Sequence, residues 1–93
     1  MSPATGPLAK AVELLATGAW QEAHTIVQAD TSTVAAWLHG IVHTLEGDLD
    51  NARYWYRRAA RAFPGPGAVD AEIAAARRTL DDNTDTERPR GAS

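Results

Sequence analysis

Three histidines carry most of the side-chain chemistry of this 93-residue chain, and all lie between residues 24 and 43. His39 and His43 are four residues apart and Glu46 follows three later, so on a helix they share one stripe beside the apolar face. His24 and Gln28 are neighbours in the same way on the preceding segment. Imidazoles four apart with a nearby carboxylate are a ligand pattern for a divalent metal, with His24, His39, His43 and Glu46 as the candidate donors. Acid–base chemistry by one imidazole is a second reading. The plainer reading is a buried polar network joining His24, His39, His43, Glu46 and Tyr54. It is preferred, because paired histidines on helices are common and the H-E-x-x-H motif is absent.

Two other groupings invite chemistry. Arg53, Arg57 and Arg61 recur every four residues, with Tyr54 and Arg58 beside them. Such a strip could grip a carboxylate or phosphate, and Tyr54 and Trp55 could stack on bases. A solvated helix face is the preferred explanation. Trp20, Trp37 and Trp55 are either ordinary packing, again preferred, or aromatic anchors for a peptide or second subunit. Other chemistries are excluded. There is no cysteine for a disulfide or thiolate metal site, and Lys10, the single lysine, follows no phosphate-binding loop. Nucleophile-elbow and dinucleotide fingerprints are missing. Gly65 and Gly67 alternate with Pro64 and Pro66, which suits a linker better than a phosphate cradle.

These residues need helices to position them. No stretch shows strand alternation, whereas apolar residues recur at three- and four-residue spacing in five segments. The expected helices are 8–17, 19–29, 34–46, 49–63 and 68–80. Gly18, Gly47 and the Pro64–Gly67 run separate them. Thr5 or Gly6 is expected to cap the first. Residues 81–93 offer no large apolar side chain and are expected to form a disordered tail. Net charge is −3, of which the tail, with Asp81, Asp82, Asp85 and Glu87 against Arg88 and Arg90, carries −2; an acidic chain argues against bulk nucleic-acid binding. No apolar run reaches the roughly 20 residues that span a bilayer. Met1–Pro7 lacks the features of a secretion signal, so a cytoplasmic address is expected.

A shift of 29 positions lays the first two helices on the next two. Val12 falls on Ile41, Gly18 on Gly47, Ala23 on Ala52 and Val27 on Tyr56. The second unit resembles a tetratricopeptide repeat through Trp37, Gly40, Gly47–Ala52, Tyr56, Ala59 and Pro64. The first resembles it more weakly, through Gly18, Trp20, Glu22 and Ala23, and the offset is shorter than the usual 34. The chain also resembles short bacterial proteins that share Ala23–His24, Gln28, Trp37, His39, His43, Glu46–Asp48, Asn51–Ala52 and Tyr54–Ala59, a resemblance that implies no function. The tetratricopeptide resemblance implies a binder of proteins or peptides, with a concave groove to which Trp37, Ile41 and Trp55 are assigned. It also implies that His39 and His43 stand where larger apolar residues are usual.

The expected architecture is therefore all-α. Two tetratricopeptide-like antiparallel helical hairpins are followed by a C-terminal capping helix. Residues 1–7 form an N-terminal extension, 8–80 the helical domain and 81–93 the tail. The expected function is a non-enzymatic interaction module for an unknown protein or peptide, without a cofactor. A small metal-dependent or acid–base enzyme built on the histidines is the alternative. So short a stack leaves an apolar face uncovered, and a homodimer is expected to hide it.

Overall fold

The computed structural model describes residues 6–90, with side chains described as far as Asp82. Five α-helices and no strand occur among the described residues: α1 Pro7–Ala16, α2 Trp20–Val27, α3 Thr33–Glu46, α4 Leu49–Arg58 and α5 Val69–Arg90. The fold is all-α. No helix among the described residues is long and apolar enough to cross a membrane.

Local chemistry sets the boundaries. Pro7 opens α1, where its missing N–H leaves no bond unmade. Gly6 is its cap position; Thr5, like the rest of the 1–5 stretch, lies outside the described residues. Before α3, Asp30 Oδ1 accepts from the Ser32 amide at 2.7 Å, and Ser32 Oγ accepts from the Ala35 amide at 3.1 Å. The Asp48 carboxylate caps α4, accepting from the Asn51 amide at 3.3 Å and from Asn51 Nδ2 at 2.8 Å. Each cap satisfies an amide that has no partner inside its helix.

The 29-residue repeat is visible in the backbone. Helix α1 closes with the Ala19 amide donating to the Leu14 carbonyl at 2.8 Å, and α3 with Asp48 donating to His43 at 2.9 Å. Gly18 and Gly47 supply the left-handed residue that each of these closures needs. Ala23 and Ala52, also 29 apart, are both fully buried.

Helix α4 ends by the same device five residues earlier than its apolar spacing suggests. The Arg61 amide donates to the Tyr56 carbonyl at 3.0 Å, and Ala60 takes the left-handed φ of 59° without being a glycine. Sequence signals place the end at Phe63 because the first proline is Pro64. Helix α5 departs in the other direction and continues past Leu80, so the expected boundary at residue 80 falls inside a helix. No glycine or proline intervenes between Gly67 and Pro89 to stop it, although the apolar stripe ends at Leu80. Residues 91–93 of the expected tail lie outside the described residues.

Helix α3 is the centre of the molecule and packs against all four other helices. Its residues 35–42 are buried without interruption. Its closest approach is to α4. A Cβ on Gly40 would stand 2.5 Å from Tyr56 Cδ1 and 3.3 Å from the Ala52 carbonyl oxygen. Helix α5 lies across α1 and α3. A bidentate ion pair ties it to α1, with Arg77 Nε and Nη2 each donating to Glu13 at 2.9 Å.

Candidate functional site

Helix α3 gathers the histidines. His39 and His43 point from one side of it, and α2 brings His24 against them. Ring centroids are 4.8 Å apart for His24–His39, 5.5 Å for His24–His43 and 5.0 Å for His39–His43. One ring nitrogen from each histidine lies within 4.8 Å of the other two. His39 is only 6% exposed. Its other face stacks on Trp55 of α4, with centroids 3.8 Å apart and planes 7° apart. A recess of about 150 Å³ lies against it, lined also by Gln28, Asp30, Ser32 and Arg58.

The hydrogen-bonded network expected here does not form. Its one bond among these residues joins His43 Nδ1 and Glu46 Oε1 at 2.7 Å. The rings of His24 and His39 meet aromatic faces and edges, and no described protein group hydrogen-bonds their nitrogens. Tyr54 is turned away; it sits edge-on to Trp55 and its hydroxyl accepts from Arg58 at 3.1 Å. Glu46, a candidate metal ligand, also falls with His43 and Asp48 in a second group whose donor atoms lie within 4.8 Å of one another. Burial pushes the His39 pKa down to about 4, with the neighbouring His24 and His43 adding to the shift. The neutral imidazole is thus the form the fold holds.

The expected groove is filled by the protein's own α5. Trp37 is 1% exposed and Ile41 fully buried. Glu72 of α5 reaches in, and its Oε1 accepts from Trp37 Nε1 at 3.0 Å and from the Tyr56 hydroxyl at 2.7 Å. Burial and the Glu72 carboxylate together push the Tyr56 pKa up. The Arg61 guanidinium closes the other side, 3.5 Å from the centre of the Trp37 ring. Trp37 and Ile41 are therefore core residues, and Trp55 belongs with the histidines. Glu72 escaped the sequence reading, although it sits three residues after Val69 and directly before Ile73, both of the apolar stripe.

The arginine strip is broken by the early end of α4. Arg53 pairs with Asp50 at 3.4 Å and lies over Phe63, and Arg57 is exposed on the last turn. Arg61 stands beyond the left-handed turn at Ala60, on Trp37. The three do not form one anion-binding row.

An open, mainly apolar depression of about 650 Å³ lies against α1 and α2, where Pro7, Lys10, Leu14, Glu22, Thr25 and Ile26 line it. Comparison with protein-family models, curated proteins and solved structures gives no match.

Proposed function

We propose that this chain is a non-enzymatic interaction module of tetratricopeptide-like hairpins, and that its docking face is the outer side of α1 and α2. The observation that carries the reading is the open depression around Leu14 and Ile26. Helices α2 and α3 pack on each other, whereas the depression is open to solvent and lined by residues of α1, α2 and Gly6. With the Trp37 side covered by α5, it is an open apolar surface available to a partner. The occupant is a second copy of the chain. Lys10 and Glu22 flank the same apolar floor, so a two-fold contact sets each against the other's counterpart. The enzymatic alternative has less support. A His39 pKa near 4 is far from the operating range of a general base at neutral pH.

Sedimentation of the untagged chain at high micromolar concentration tests the reading. A dimer is expected, weakened by Lys10→Glu and restored by Lys10→Glu combined with Glu22→Lys. A stable 9.9 kDa monomer contradicts it.

A further inference from the structure

We propose that His24, His39 and His43 form a binding site for a divalent transition-metal cation of the zinc class, with Glu46 as the carboxylate that orients His43. The proposal is independent of self-association through the α1–α2 face.

Donor chemistry is the first ground. Neutral imidazole is a preferred ligand for zinc and its neighbours, and hard cations such as magnesium and calcium select oxygen instead. Three imidazoles and no thiolate define the class.

Geometry is the second. The three nitrogens already lie within 4.8 Å of one another. A tetrahedral zinc with bonds of about 2.0–2.1 Å needs its ligand nitrogens roughly 3.3 Å apart. His24 and His43 are only half-buried and can turn towards the centre. His39 is held from behind by the Trp55 stack. Bringing separations of up to 4.8 Å to that value takes ring movements of about 1 Å.

The third ground is the bonding of the rings. An imidazole has a donor and an acceptor nitrogen, and a buried one normally finds partners for both. His39 is 94% removed from solvent yet has no described hydrogen bond at its ring. No fully sealed side-chain nitrogen or oxygen among the described residues is left unbonded, so its ring nitrogens keep a narrow contact with the solvent edge of the cluster. A cation entering from that edge would take up the free lone pairs. His43 is prepared differently. Its Nδ1 is engaged by Glu46, which leaves Nε2 for the metal and makes the ring a better donor, the usual carboxylate–histidine–metal relay.

A competing donor group, His43 with Glu46 and Asp48, is also close enough to share an ion. The triad is favoured because Asp48 is already committed to capping α4 through Asn51. Three protein ligands leave the fourth position of a tetrahedral ion to water or an added ligand.

The test uses the full-length untagged chain, stripped with a chelator and titrated calorimetrically with zinc chloride. Cobalt(II) serves in parallel as a spectroscopic probe. Expected are one ion per chain, micromolar or tighter affinity, and visible cobalt bands typical of four-coordinate nitrogen ligation. His24→Gln and His43→Gln should each weaken binding by at least about a hundredfold. Glu46→Gln should weaken it about tenfold, and Asp48→Asn should leave it unchanged. Circular dichroism shows whether each variant is folded, and His24→Gln, at a half-buried position, keeps the test decisive if a His39 variant is not. Absence of binding to the wild type overturns the proposal. So does binding that survives His24→Gln, or binding that Asp48→Asn abolishes.

Discussion

Glu72 and the histidine triad both set polar groups against α3, Trp37 turned towards one and His39, two residues later, towards the other. On a helix two residues are about 200° apart, so the clusters lie on opposite sides. On the Glu72 side, one carboxylate oxygen accepts from two buried donors, and a guanidinium covers the indole. On the histidine side, a ring as deeply placed finds aromatic surfaces but no hydrogen-bond partner for its nitrogens. A closed cluster of the first kind joins helices together. The second kind leaves donor capacity unused, and this unused capacity makes it the candidate site.

The largest expected effect comes from breaking the closed side. Glu72→Ala leaves Trp37 Nε1 and the Tyr56 hydroxyl without their acceptor, and should destabilise by about 2–4 kcal/mol in urea unfolding. A loss below about 1 kcal/mol would remove the distinction between the two sides. Gly40→Ala acts on the same side, pushing on a Tyr56 ring fixed by Glu72. It should cost about 1–3 kcal/mol by the same measurement.

The histidine side should respond to pH when metal is chelated. His39 titrates near 4 in the fold, against about 6.5 in an unfolded chain. Between those values the unfolded chain binds more protons. The contribution is therefore complete above pH 6.5 and is lost as pH falls towards 4, by at most about 3 kcal/mol. The groups facing His39 are the imidazoles of His24 and His43 and, across the recess, Asp30 and Arg58. Urea midpoints across this range measure the loss, which should shrink in His39→Leu. The smallest effect is that of His39→Leu itself at neutral pH in chelator. An apolar side chain of similar size strands no hydrogen-bond partner there, so stability should stay within about 1 kcal/mol of wild type. A loss as large as that of Glu72→Ala would mean that the histidines are structural.

Much of this arrangement was legible in the sequence. The spacing of Val12, Ala23, Ile41 and Ala52, punctuated by Gly18 and Gly47, located the first four helices, because periodicity and left-handed glycines are local signals. The grouping of His24, His39 and His43 was legible too, since the repeat lays α2 against α3. Four features were not. Ala60 adopts a conformation that its side chain disfavours, so the end of α4 carries no glycine to announce it. The covering of Trp37 and Ile41 depends on where α5 crosses, which is a matter of tertiary packing. The role of Glu72 follows from that crossing. The nature of the histidine contacts also lay beyond spacing. Residues 24, 39 and 43 can meet by hydrogen bonds or by ring faces, and Trp55, occupying one face of His39, selects the latter.

The most direct test of the contrast is thermal unfolding of the untagged chain, in excess zinc and in chelator, for the wild type, His24→Gln and Glu72→Gln. A cation bound only by the folded state raises the melting temperature in proportion to the logarithm of its concentration over Kd. If the histidine triad binds zinc, the wild type shows a rise of several degrees and His24→Gln shows none. Glu72→Gln keeps the wild-type rise from a lower baseline. No zinc-dependent rise in the wild type, or an equal rise in His24→Gln, would contradict zinc binding by the triad.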